Sequence, residues 1–292
     1  NFANVEQDVI IASSYRSGTP CRYFYKIAGK VLRKSPRLSH SFTHFMAKRP
    51  FIRKQKRKQH GATFWDNEYK NANHLKLSTD HSEDLEKFTR FIPRQEREDV
   101  LAPGESALDV GCGNGRNLIF LARQFGMQGV GYDISTAAVA QAKVASTGLP
   151  LVYEARSIAG PITVPDNSQS LVLDMMSSHF LSSAERTVLR DEIFRVLKPG
   201  GFLFMKTFLA DGDLHTRRLL KDAPAEEENT YIHPVIGVPE YVYTEEALTE
   251  FLGEKFIIHK IYRSHKHVLK GRARKRRTVS IYAEKDWGVR NQ

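Results

Sequence analysis

The sequence predicts an α/β fold with a mostly parallel sheet covered by helices on both faces. Two observations carry this expectation. Seven short apolar runs, at 107–110, 128–132, 150–153, 170–175, 201–208, 256–262 and 278–283, have the length of strands. Helix-period segments at 115–125, 135–146 and 183–197 separate most of the first five. Strands that alternate with helices require right-handed crossovers, and hence neighbours that run parallel.

Ahead of this alternation, "SEDLEKFTRFI" offers Ser82 as an N-cap, acids in the first turn, and Leu85, Phe88 and Ile92 on one face. In the helix at 183–197, Leu189, Ile193, Val196 and Leu197 repeat at helical spacing, and Pro199-Gly200-Gly201 is expected to stop it. The polar stretch after residue 208, about 209–243, exceeds an ordinary connection and reads as a lid-like insertion, functional or mobile. A helix capped by Thr244, with Leu248, Phe251 and Leu252 inward, precedes the last two strands. A basic hairpin loop at about 264–277 joins those strands.

Charge is distributed unevenly over the 292 residues. Residues 1–60 hold 14 Lys/Arg against Glu6 and Asp8, and Lys255–Arg277 hold ten without an acid, whereas 61–254 hold 18 basic and 29 acidic groups. Residues 1–60, which end in "RKQKRKQH", therefore read as a basic, partly disordered extension, and 61–292 as the folded domain. No apolar run approaches the roughly 20 residues that span a bilayer, so no membrane partner is expected. Asn1 to Ile11 carry Glu6 and Asp8 without a basic start, which excludes a secretory signal pattern. The opening residue is Asn1 rather than Met, which fits a missing or processed start. Cys21 and Cys112 lie far apart and make no disulfide framework, so a cytoplasmic location is the simpler expectation. No metal-ligand spacing stands out, and oligomeric state is not legible.

The chemistry concentrates in "ALDVGCGNGRNLIFLARQFGMQGVGYDIS", residues 107–135. Gly111, Gly113 and Gly115 occupy the turn after the first strand, where missing side chains let main chain approach a ligand. The helix that follows aims its free amides into the same turn. Asp133 ends the second strand, 22 residues after Gly111, a spacing that suits a carboxylate accepting from both hydroxyls of a ribose. A nucleoside-containing cofactor follows. A dinucleotide fingerprint asks for a small residue where Arg116 stands, and Asp109 in the first strand would repel a pyrophosphate. The same acid would attract an amine, which points to S-adenosyl-L-methionine rather than a nicotinamide dinucleotide.

"LDVGCGNGRN", "GYDIS" and "EIFRVLKPGGFLFMKTF" together resemble class I S-adenosylmethionine-dependent methyltransferases, nearest the tellurite-resistance-type group in which the GCGxGRN turn recurs. The resemblance covers about 62–285 and implies a Rossmann-like seven-stranded sheet whose last strand is antiparallel. It implies that Asp109 and the backbone from Gly111 through Cys112, Gly113 and Asn114 to Gly115, with Asn117 beside them, hold the methionine end. Asp133 would hold the ribose, and Ile134 would lie against the adenine. Trp65 and Tyr69 in "FWDNEY" match a segment that closes over the cofactor in such enzymes. Relatives carry an acid after the third strand; here Arg156 or Ser157 stands there, so Ser157 and Ile158 are the adenine-side candidates. Asp174, at the tip of the fourth strand, is a further candidate on the cofactor side.

"LVLDMMSSHF" lacks the Asn/Asp-Pro-Pro-aromatic motif of nucleic-acid amino methyltransferases and has no cysteine, which disfavours exocyclic amines and carbon-5 of cytosine as acceptors. Asp174 and His179 are the candidate catalytic residues, His179 as a base for a protonated acceptor. Tyr231, His233 and Tyr243 are candidates for the lining of a lid. A small-molecule acceptor is the first expectation. RNA, bound through the N-terminal extension and Lys255–Arg277, is the alternative. An inactive cofactor-binding adaptor is a third reading.

Overall fold

The computed structural model describes residues 57–75, 77–264, 268–269, 272–273 and 275–286. Most of the predicted basic extension therefore lies outside the described residues. The helix α1 (Arg57–Lys70) begins within its last residues, and α2 (Glu83–Phe91) follows. Ser82 caps α2 by accepting from Asp84 N–H, and Leu85 and Phe88 are buried, as the spacing predicts.

The alternation then runs β1 (Ser106–Val110), α3 (Arg116–Phe125), β2 (Gln128–Asp133), α4 (Thr136–Ala145), β3 (Leu151–Ala155), β4 (Gln169–Met175), α5 (Ser183–Val196) and β5 (Leu197–Phe208). The insertion follows as α6 (Leu214–Asp222) and a hairpin of β6 (Thr230–Ile232) with β7 (Pro239–Tyr241). The chain closes through α7 (Glu245–Gly253), β8 (Phe256–Arg263), a short pair of β9 (Val268–Leu269) with β10 (Arg272–Ala273), and β11 (Thr278–Lys285).

Seven strands form one sheet in the order β3-β2-β1-β4-β5-β11-β8. β11 runs antiparallel to both neighbours, and the other pairings are parallel. This is the Rossmann-like methyltransferase sheet that the resemblance implies. Sequence-adjacent strands separate at β1, which lies between β2 and β4, and ligands bind outside the carboxyl edge at such a switch point.

Alternation of side chains divides the core into two layers. Leu108, Val110, Val172 and Leu203 pack against Leu189 and Ile193 of α5 and Leu248 and Leu252 of α7. Ala107, Leu171, Phe202 and Phe204 pack against Leu85 and Phe88 of α2 and Leu118 and Leu121 of α3. Phe88 stacks on Phe204 at 5.1 Å between ring centroids and meets Tyr282 edge-on at 4.9 Å. Strands buried on both faces explain why β4 reads as an unbroken run rather than an alternation.

One boundary differs from expectation. Pro199-Gly200-Gly201 does not stop α5; the helix ends at Val196 and the chain passes directly into β5. The three residues form an irregularity inside that strand, where the register on β4 jumps from Gln169↔Leu197 to Leu171↔Phe202. Gly201 fits because a Cβ there would lie 2.9 Å from the Lys198 carbonyl.

Candidate functional site

The turn from β1 to α3 folds as the glycines require. Gly111 has φ 95° and Gly113 φ 54°, both left-handed. Space matters as much as conformation. A Cβ on Gly111 would stand 2.3 Å from Ser177 Cβ, and one on Gly113 would stand 2.3 Å from the Tyr69 hydroxyl. Gly115 caps α3 from outside the crevice.

At the carboxyl edge lies a crevice of about 740 Å³. Its floor includes Gly111, Cys112, Gly113, Asn114 and Asn117 from the turn, and Asp133 and Ile134 from the end of β2. Ser157 and Ile158, after β3, line the same side, and Trp65 and Tyr69 of α1 complete it. Eleven of the fourteen cofactor candidates thus share one cavity; Asp109, Gly115 and Asp174 are not among its lining residues.

The acids fall into different environments. Asp133 accepts from Gly113 N–H through Oδ2 and from Ser135 N–H through Oδ1, each at 2.8 Å. Burial raises its pKa, opposed by these same amide donors, which favour the carboxylate. Asp109 lies one residue before Val110, so it shares the Ala107 face of β1, beneath the turn rather than in the crevice. It is 0% exposed, and neither oxygen has a hydrogen-bond partner among the described residues. Burial, reinforced by Asp133 and Asp174, raises its pKa to about 8. An uncompensated buried carboxylate is costly, so the group is held largely protonated.

The two catalytic candidates sit beside the crevice rather than on its wall. Asp174 accepts from Ser177 Oγ at 2.7 Å and Ser178 N–H at 3.2 Å, and is 3% exposed. It fixes the bend after β4 that carries Met176, Ser177 and Phe180 to the cavity. His179 is 2% exposed, with Nδ1 unpartnered and its ring against Phe180 and Phe208 at 4.2 and 5.4 Å. Burial lowers its pKa to about 4, so the imidazole is neutral at pH 7. Neither residue is among those that line the crevice.

The polar residues around the glycines hold the crevice's other wall. Asn114 Nδ2 donates to Ser78 O at 3.0 Å, Arg116 to Asp80 O at 2.8 Å, and Ser82 N–H donates to Asn117 Oδ1 at 3.1 Å. The "NGRN" lettering thus pins residues 78–82 across the turn. α1 is tied to α4 by Asp66, which accepts from Ser135 Oγ at 2.7 Å and Ala137 N–H at 3.0 Å. The Trp65 ring then meets Phe180 edge-on at 6.0 Å.

Sequence reasoning missed Leu75, Leu77, Met175, Met176, Phe180, Leu181, Glu185, Lys206, Val238 and Pro239 among the lining. They arrive from five separate segments, and no spacing signal links them. The lid candidates are placed elsewhere. Tyr231 is buried against Glu240 and Arg276, Tyr243 packs between Tyr241 and Phe251, and His233 stands 3.9 Å from Glu240. The insertion reaches the crevice through Val238 and Pro239 instead. Arg276, from the base of the basic hairpin, is bonded to Glu240, with its guanidinium 3.5 Å from the Phe208 ring centroid. Arg277 donates to Asp211 O at 2.6 Å. Both guanidinium groups are thus bonded to the folded domain.

Residues 107–201 match a protein family described as a methyltransferase domain. An uncharacterised methyltransferase of Synechocystis is 31% identical over 102 residues, 35% of this chain and 46% of that protein. The 2-methyl-6-phytyl-1,4-hydroquinone methyltransferase of the same organism is 32% identical over 105 residues, 36% of this chain and 32% of that protein. The chain spans less than half the length of these curated relatives. A SAM-dependent methyltransferase from Methanosarcina mazei superposes with a TM-score of 0.54 at 24% identity, covering 65% of this chain and 96% of that one. Residues 107–201 thus resemble a methyltransferase domain, and the sheet around them has the fold of a solved SAM-dependent methyltransferase.

Proposed function

We propose that the protein is an S-adenosyl-L-methionine-dependent methyltransferase acting on a small molecule. The observation that carries this reading is the convergence of the bared turn at Gly111–Gly113 and the Asp133 carboxylate on one cavity. The crevice fits the cofactor on its own terms: two glycines leave room a Cβ would fill, and Asp133 presents two oxygens beside a half-exposed apolar residue, Ile134. An ammonium group seated above the turn would favour the ionised form of Asp109, buried below it with no hydrogen-bond partner among the described residues, whereas a pyrophosphate would oppose it.

When bound, the cofactor supplies an electrophilic methyl carbon: the acceptor's lone pair forms the new bond and the carbon–sulfur pair returns to sulfur. The chain's own contribution is positioning. Holding the reactants in line can supply on the order of 7–11 kcal/mol. Trp65, Tyr69 and Phe180 exclude water above the floor, and an acceptor proton leaves to solvent, because His179 lies off the wall.

The resemblance to the tellurite-resistance-type group rests on the GCGNGRN turn. The RNA reading loses support from Arg276 and Arg277, whose guanidinium groups are already engaged. Calorimetry tests the proposal: micromolar binding of S-adenosylhomocysteine and none of NAD is expected, and the reverse would overturn it. Incubation with labelled methyl donor and cell extract, before and after nuclease, separates small-molecule, RNA and inactive-adaptor outcomes.

A further inference from the structure

The crevice has two wings of different chemistry. One, beneath β1–β3, holds the glycine turn, Asp133 and Ser157 and is polar. The other lies toward β4 and β5, where Trp65, Met176, Phe180, Leu181, Val238 and Pro239 line it. Two contacts close this second wing. Trp65 meets Phe180, and a Cβ on Gly61 would lie 3.8 Å from Val238 Cγ1, so α1 and the insertion roof the wing together. Its charged residues are already engaged. Lys206 Nζ lies 2.5 Å from Asp84 Oδ2, and Glu185 Oε2 accepts from Ser182 N–H and Oγ at 2.8 and 2.7 Å.

From this lining we infer that the acceptor is a small molecule with an apolar body, seated between Trp65, Phe180 and Leu181 on one side and Val238 and Pro239 on the other. The inference rests on the methyltransferase reading, which assigns the polar wing to the cofactor. A phosphodiester needs cations free to replace its counterions. Among the described lining residues, Lys206 is paired with Asp84 and Arg116 donates to Asp80 O. A strongly polar metabolite would leave its own groups unpaired against Phe180, Leu181 and Val238, at a cost that an apolar body avoids. The acceptor atom stands at the boundary of the wings, next to the cofactor's methyl, with the apolar body pointing away from Asp133.

The test uses protein saturated with S-adenosylhomocysteine, titrated calorimetrically with 4-ethyl-, 4-butyl- and 4-hexylphenol as probes. Each added methylene buried in the wing should tighten binding by about 3–4-fold. Leu181→Asp and Val238→Asp should each weaken 4-hexylphenol by more than about tenfold and leave S-adenosylhomocysteine affinity within about twofold. Affinity independent of chain length, or unaltered by both substitutions, would overturn the inference. So would a single-stranded RNA 20-mer whose binding those two substitutions abolish. Loss of S-adenosylhomocysteine binding by the unaltered protein would instead sink the methyltransferase reading, so the two failures are distinguishable.

Discussion

Asp133 and Gly113 are joined by a 2.8 Å hydrogen bond from the Gly113 N–H to Asp133 Oδ2. The acid assigned to the ribose therefore also holds the turn that faces the cofactor. Asp133→Ala should lose both roles. S-adenosylhomocysteine binding should weaken by roughly 1–3 kcal/mol, the scale for hydrogen bonds to a charged group. The melting temperature of the free protein should fall as well, because the Gly113 amide loses its acceptor. Calorimetry and thermal scanning measure the two effects separately.

Gly113→Ala meets two obstacles. Left-handed backbone costs an L-residue roughly 1–2 kcal/mol, and the new Cβ would overlap the Tyr69 hydroxyl. Affinity for S-adenosylhomocysteine should drop by more than about tenfold. Adding Tyr69→Ala removes the overlap but not the backbone term, so part of the stability lost in the single variant should return. A double variant no more stable than the single one would show that the overlap costs nothing.

Asp109 predicts a pH dependence with a definite sign. Its folded pKa of about 8 lies above the unfolded value of 3.8. The native state therefore binds the extra proton between these values, and stability falls as pH rises through this window. The slope from this one group is about −1.4 kcal/mol per pH unit. Asp109→Asn should flatten the decline between pH 5 and 8 in urea unfolding of the ligand-free protein. At pH 8.5 the same variant should bind S-adenosylhomocysteine more weakly, since the negative charge facing the amine is gone.

His179 gives the opposite sign. Burial holds its folded pKa at about 4, below the free value of 6.5. The unfolded state takes up the proton first, and stability is lost as pH falls from about 6.5 toward 4. His179→Phe should remove that acid-side loss while leaving S-adenosylhomocysteine affinity within about twofold. A large loss of cofactor affinity would place the imidazole on the cavity wall after all.

Asp66 links α1 to the N-terminus of α4 through Ser135, Thr136 and Ala137. Asp66→Ala should cost about 1 kcal/mol, as loss of a helix cap does. Release of S-adenosylhomocysteine should quicken, because Trp65 and Tyr69 ride on the same helix. Stopped-flow displacement reads that rate.

Much of this was legible in the lettering. Short apolar runs and period-3.6 patterns placed the seven sheet strands and the helices around them, since strands buried on both faces stay apolar throughout and helices show one apolar face. The turn at Gly111–Gly113 and the carboxylate at Asp133 were legible because positive φ and close approach admit few residue types. The tip of β4 was not. Asp174 and His179 are near the cavity along the chain, yet both are buried beside it rather than among its lining residues. Arg276 and Arg277 read as part of a basic run open to RNA, but Glu240 and the Asp211 carbonyl, 36 and 66 positions away, bond them to the folded domain.

From the sequence alone come the sheet, the glycine turn and the cofactor's chemical class, because each depends on neighbours within one strand–turn–helix unit. The wall inferred to meet the acceptor was decided only by tertiary packing. Trp65, Phe180, Leu181 and Val238 come from segments far apart in the chain, and each is an unremarkable apolar residue until the fold sets them around one space. A ligand cradle made from one backbone turn leaves a local signature; a cavity made from side chains on three separate segments leaves none.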